Sequence, residues 1–224
     1  MFILSVIWVA TVRMVAELAG NRIWDTLLVV GSPLLIMHSF TNWDIPSIFF
    51  AVAAIYAARN KKFWLAGVMI GLGTAFKMWP IFALGAYLVV ALRKRDLVPF
   101  LKMVAATVVS WVAVNLPIYL RDPEAWGEFR RLNTDRSWEW TTIYAVFSRI
   151  TGWAGFDSGD GAPVILNAVT LVLFLAGCAA VLVMGLKAPR TPRIAELLTL
   201  IVGFFLLFNK VWSLSLIHIS EPTR

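Results

Sequence analysis

Four polar clusters interrupt an otherwise apolar chain, and each carries groups capable of chemistry. Asn42-Trp43-Asp44 lies between two apolar stretches. A carboxylate there can take a proton from a hydroxyl as a general base, or hold a cation or a hydroxyl group. Asp44 can equally cap the helix that begins at Ile45-Pro46, and the two roles can coexist. Lys77 follows the run from Gly67 through Gly71 and Gly73, and precedes Trp79-Pro80. At the tip of a tight helical hairpin its ammonium suits a lipid phosphate as a point charge; the alternative is simple snorkelling to the interface. Asn133, Arg136, Glu139 and Trp140 form a third string. Amide, carboxylate and indole serve sugar recognition and arginine pairs with phosphate, against the plainer reading of solvated loop charges. Asn209-Lys210-Val211-Trp212 closes the last apolar run and adds a further cation, with a snorkelling helix end as its alternative.

Other residues are set aside. His38 and His218 have no neighbours at ligand spacing, so no metal site is expected. Cys178 is the single cysteine and lies in an apolar run, which leaves neither a disulfide framework nor a cysteine metal site. The order of glycines and lysine before Lys77 does not fit a nucleotide-binding loop; Gly67 and Gly71 read as small-xxx-small helix packing.

The elements that must position these clusters follow from composition. Hydrophobic residues make up 60% of the 224 and charged residues 15%, far from the balance of a soluble domain. The net charge of +7 comes from short clusters between apolar runs, so it reads as membrane topology and no nucleic-acid partner is expected. Met1 opens directly into an apolar run without a basic leader region or cleavage site, so no signal peptide is read. Eight apolar segments are expected: Phe2–Ala19, Thr26–Phe40, Ile45–Ala58, Phe63–Phe76, Ile81–Leu92, Phe100–Ile118, Val164–Leu186 and Ile194–Phe208. The sixth and seventh are long enough to span a bilayer; the second to fifth are short and some can be half-spanning. Arg22, then Arg59, Lys61 and Lys62, then Arg93, Lys94 and Arg95, then Lys187, Arg190 and Arg193 follow every second segment. Those loops are therefore cytoplasmic, and all four polar clusters fall on the outer face.

The long outer connection, about 119–162, has structure of its own. Asp122-Pro123-Glu124 is a helix-start signal. Trp126, Phe129, Trp138, Trp140 and Trp153 suit a segment lying at headgroup level as interfacial helices, and Gly155–Ala162, with Asp157 and Asp160, reads as its flexible end. The fold class expected is all-α, a polytopic membrane bundle.

Taken in order, Asn42-Trp43-Asp44, the stretch from Leu65 through Gly73 to Lys77 and Pro80, Asn115-Leu116-Pro117, the loop Trp126-x-x-Phe129…Asn133-x-x-Arg136…Trp140, and Asn209-Lys210-Val211-Trp212-Ser213 resemble the bacterial membrane glycosyltransferases of family 87. The resemblance covers about residues 1–213. It implies a GT-C fold in the plasma membrane and transfer of a sugar, mannose above all, from a polyprenyl phosphate to an extracytoplasmic glycolipid or glycan acceptor, without a nucleotide. It casts Asp44 as a supporting catalytic candidate, and Asn42, Lys77, Asn133, Arg136, Glu139, Trp140 and Lys210 as substrate-binding candidates. The family's catalytic acid belongs to an outer loop that here would precede Met1. The tail 214–224 looks like translated adapter, and the chain alone is expected to be inactive. A transporter or a non-catalytic scaffold are the competing classes. Arg13 and Glu17, four apart within an apolar run, would serve the first if they faced a path, but are spaced to pair with each other.

Overall fold

A computed structural model describes residues 2–32, 44–153, 155–156 and 162–210. Among them every regular element is helical. His38, Asn42, the later part of the second apolar segment, Asp157, Asp160, Trp212, His218 and the tail 214–224 lie outside the described residues.

Three helices have the bounds expected from the sequence: α1 (Phe2–Ala19), α4 (Phe63–Phe76) and α10 (Ile194–Phe208). Of the second segment, α2 (Thr26–Val30) is described. The helices α3 (Asp44–Arg59), α5 (Phe82–Lys94), α6 (Val98–Arg121) and α9 (Val164–Lys187) take in their basic C-terminal flanks. Lys and Arg are good helix formers, and the negative end of the helix dipole favours them there. Between α1 and α2 a 3-10 turn (Gly20–Asp25) stands where a loop at Arg22 was expected, opened by Gly20 in left-handed conformation (φ 58°); helices and turn together make an apolar stretch, Phe2–Leu28, of 27 residues. Arg22 sits at the kink (φ −100°, ψ 33°) and pairs with Asp25 at 2.6 Å.

Phe2–Leu28, α6 and α9 are long and apolar enough to cross a membrane. The 24 residues of α6 and of α9 give about 36 Å at 1.5 Å per residue. With 16, 14 and 13 residues, α3, α4 and α5 reach only about 20–24 Å, short of a hydrocarbon core of about 30 Å.

The short helices gain their hold from close packing. On the α4–α6 seam, a Cβ added to Gly67 would lie 2.3 Å from the Met103 carbonyl oxygen, and one on Gly71 would lie 2.5 Å from that of Thr107. The Thr107 hydroxyl uses the approach to donate to the Gly67 carbonyl at 3.0 Å. The expected small-xxx-small contact is therefore present, and since residue numbers rise together along it, the two helices run parallel. Ala54, Ala57, Ala66, Ile70 and Met103 form one core around this seam. Ala86, Val89, Val181, Leu197 and Ile201 form a second, joining α5, α9 and α10.

Contacts between helix ends agree with the alternation of loop charge. Arg13 reaches Glu17 at 3.2 Å, Tyr56 donates to Glu17 at 2.7 Å, and Arg59 donates to the Glu17 carbonyl at 2.6 Å. Arg93 donates to the carbonyls of Leu186 and Ala188. Each contact joins ends assigned to the basic side. Arg13 and Glu17 thus pair on α1, and Glu17 ties it to α3.

Candidate functional site

At the opposite end of the bundle, α3 and α4 close on each other through one ion pair. Asp44 stands in the first turn of α3, which begins at that residue and not at Ile45. Lys77 leaves α4 in extended conformation (φ −149°, ψ 145°). Its ammonium contacts the Asp44 carboxylate. The side chains keep 34% and 38% of their exposure, so the pair is reachable from outside. The 3-10 turn Trp79–Ile81 then carries the chain into α5. Beside α5, an apolar cleft of about 300 Å³ is lined by Phe82, Gly85, Val89, Phe174, Cys178 and Ile201 among others. Such a lining suits hydrocarbon and offers nothing to a charged group.

The connection after α6 folds into two helices, α7 (Pro123–Asp135) and α8 (Ile143–Thr151). The expected helix start holds: the Asp122 carboxylate accepts from the Ala125 amide at 2.9 Å. Trp126 fixes α7 to α6. Its indole N–H donates to Asn115 Oδ1 at 3.0 Å, and its ring stands edge-on to Trp111 and Tyr119. Asn115-Leu116-Pro117 and Trp126, two strings of the sequence pattern, are thus in contact. Thr142 caps α8, and Gly152 ends it at φ 69°, a left-handed conformation that costs glycine little. Tyr144 is buried with Phe156 and Leu166, and its hydroxyl donates to the Phe208 carbonyl at 2.8 Å. Burial pushes that phenol up to about 12. Trp126, Phe129 and Leu132 on α7, with Val146, Phe147 and Ile150 on α8, stay exposed, an arrangement suited to the membrane interface.

Between α7 and α8 runs a strap, residues 136–142, pinned from beneath by Lys210. This lysine is only 9% exposed. Its ammonium donates to the Arg136 carbonyl at 2.6 Å, to the Thr134 carbonyl at 3.4 Å and to Asn167 Oδ1. Asn167 in turn donates to the Thr134 carbonyl at 2.9 Å, and the Glu139 amide donates to the Lys210 carbonyl at 3.0 Å. Burial first, then the nearby Arg136 charge, hold the lysine below its usual pKa; Asp135 opposes them.

The remaining candidates sit around this strap. Asn133 spends its amide on the Phe129 carbonyl at 2.7 Å, within its own helix. The Arg136 guanidinium is exposed and has no hydrogen-bond or ion-pair partner among the described residues. Glu139 is half-buried. Trp140 is 70% exposed, lies 4.7 Å below the Arg149 guanidinium and stands edge-on to Trp138 at 5.7 Å. The structure therefore joins Asp44 with Lys77, and Arg136 and Glu139 with Lys210. Among the described residues no hydrogen bond or ion pair links Asp44 or Lys77 to Arg136 or Lys210. Sequence reasoning missed Asn167, Arg149 and Tyr144. A lone amide three residues into the apolar run from Val164 was the available signal for Asn167. No group of three His, Cys, Asp or Glu that could hold a metal occurs among the described residues.

Compared with known proteins, the family model of glycosyltransferase family 87 matches residues 1–209. No curated protein and no solved structure matches the chain.

Proposed function

The chain belongs to glycosyltransferase family 87, a membrane glycosyltransferase family, and from this premise we propose that it moves a sugar from a polyprenyl phosphate to a glycolipid or glycan acceptor. Mannose is the sugar proposed, and the outer side of a bacterial plasma membrane the place. In this reaction the acceptor hydroxyl attacks the anomeric carbon and a carboxylate takes its proton. The bond from that carbon to the phosphate oxygen breaks, and the lipid phosphate departs with the electron pair. Asp44 is the supporting candidate for proton acceptance and Lys77 for holding the phosphate. Arg136, Glu139 and Trp140 of the strap are candidates for binding sugar and phosphate. Asn42 and Asn133 stay in the proposed set as hydroxyl partners; Asn133 uses one amide N–H on the Phe129 carbonyl and keeps its other N–H and its oxygen for a ligand.

The observation that carries this reading is the Asp44–Lys77 pair. Two elements converge to put one carboxylate and one ammonium side by side at the rim of a helical bundle. An ion pair of this exposure adds only about 0–1 kcal/mol to stability, so stability is a poor reason for it. The ammonium has three donor protons and spends one direction on Asp44, which leaves donors for a phosphate. Charge accumulating on a leaving phosphate beside a low-dielectric boundary is well stabilised by a fixed cation.

The test is Lys77→Gln at the matching lysine of a family member with measurable activity, with transfer measured from polyprenyl-phosphate mannose. Loss of such a donor costs about 3–4 kcal/mol in the barrier, a rate loss of roughly hundreds-fold. Turnover within about threefold of the parent, with normal membrane insertion, would reduce Lys77 to an interface anchor.

A further inference from the structure

Lys210 follows the last apolar helix as a snorkelling or ligand-binding lysine would, yet its ammonium is turned inward. It is buried and faces three oxygens from two distant segments: the carbonyls of Thr134 and Arg136, and Asn167 Oδ1. An ammonium has three protons, so this set leaves none for a substrate phosphate. The same three segments are cross-linked twice more, by Asn167 to the Thr134 carbonyl and by the Glu139 amide to the Lys210 carbonyl. Meanwhile the neighbouring Arg136 gives up its carbonyl to Lys210 and keeps its guanidinium exposed.

We infer that Lys210 is a positioning residue: it staples the end of α7 and the strap 136–142 onto α9 and α10, and so holds the Arg136 guanidinium at the outer face. The staple rests on the geometry alone; its consequence for a phosphate ligand rests on the function proposed above. A buried ammonium is a suitable staple because its three protons can each meet one of these three oxygens, and a charged donor strengthens each bond. A methionine of similar reach would fill the space and leave all three without this partner.

The strap contains a trypsin site, the Arg136–Ser137 bond, so its release can be read directly. In the purified chain in detergent, Lys210→Met is expected to speed cleavage at that bond about ten- to hundred-fold, as a strap freed of charged hydrogen bonds opens more often. Cleavage after Lys102, inside α6, should stay at the parent rate, which separates local release from global unfolding. Rescue tests the charge: in a Cys178→Ala background, Lys210→Cys treated with 2-bromoethylamine regains an ammonium of nearly lysine length and should regain the slow cleavage. Iodoacetamide, which leaves a neutral group, should not. Unchanged cleavage in Lys210→Met, or equal rescue by both reagents, overturns the inference.

A second arm separates positioning from direct contact. Dodecyl phosphate binding is measured in mixed micelles, with dodecanol as the control. If Lys210 acts through Arg136, then Lys210→Met and Arg136→Gln each weaken binding and the double variant is no weaker than Arg136→Gln alone. Losses that multiply in the double variant make Lys210 a phosphate ligand itself and overturn the inference. If the parent binds dodecyl phosphate no better than dodecanol, the proposed function fails at this site, and the cleavage rates alone still decide the staple.

Discussion

Gly71→Ala should separate α4 from α6, and the structure fixes how severely. The added Cβ would lie 2.0 Å from Ser110 Oγ, 2.5 Å from the Thr107 carbonyl oxygen and 3.1 Å from the Trp111 amide nitrogen. The Ser110 hydroxyl could rotate away, but the other two atoms are backbone of a 24-residue helix and cannot yield alone. The helices must therefore part by roughly 1 Å, an overpacking that costs about 1–3 kcal/mol. Parting also stretches the bond from Thr107 to the Gly67 carbonyl, now 3.0 Å, which adds about 0.5–1.5 kcal/mol. Together these amount to roughly 2–4 kcal/mol, a fall of roughly 5–15 °C in melting temperature for a chain of this size. The assay is thermal loss of the monodisperse peak in detergent size-exclusion chromatography. Gly127→Ala and Gly203→Ala are the controls, since a Cβ at either meets nothing within 4 Å; both should be neutral or slightly stabilising. If Gly71→Ala melts within about 1 °C of those controls, the parallel α4–α6 seam does not exist as described.

Sidedness can be checked with cysteines in a Cys178→Ala background: Asn60→Cys and Lys94→Cys should be shielded from an impermeant thiol reagent added outside, whereas Glu124→Cys should label. Labelling of Lys94→Cys from outside reverses the orientation. Trp126→Phe should cost about 0.5–1.5 kcal/mol through its hydrogen bond to Asn115. Asn115→Ala should cost a similar amount or more, and the double variant should lose less than the two singles added, because both break one contact.

Much of the framework was legible because it is written in local patterns. Apolar run length gave the bounds of α1, α4 and α10, and alternating loop charge gave which helix ends meet. The start of α7 was legible as Asp122-Pro123-Glu124, where a capping carboxylate and a proline at the first helical position act within one turn. The break at Arg22 was legible as a loop cation, but not its form, a 3-10 turn in which Arg22 pairs with Asp25. The string Asn133, Arg136 and Trp140 was legible as exposed, but not the local bond by which the Asn133 amide turns back on the Phe129 carbonyl.

Lys77 and Lys210 show why the rest resists reading from sequence. Lys77-Met78-Trp79 and Lys210-Val211-Trp212 are the same local pattern, each placed at or just beyond the end of an apolar helix. Propensity, hydropathy and snorkelling treat them identically. What separates them is what passes overhead. Lys77 lies at a hairpin tip, where it meets the Asp44 carboxylate and keeps 34% of its side-chain exposure. Lys210 is overlain by a strap whose Arg136 comes 74 residues earlier, and by an amide 43 residues earlier on α9. A cation roofed by backbone carbonyls holds structure; one left at the rim beside a carboxylate is available to a ligand. Between otherwise equal lysines, the assignment of chemistry follows from the roof, and the roof is a property of the fold.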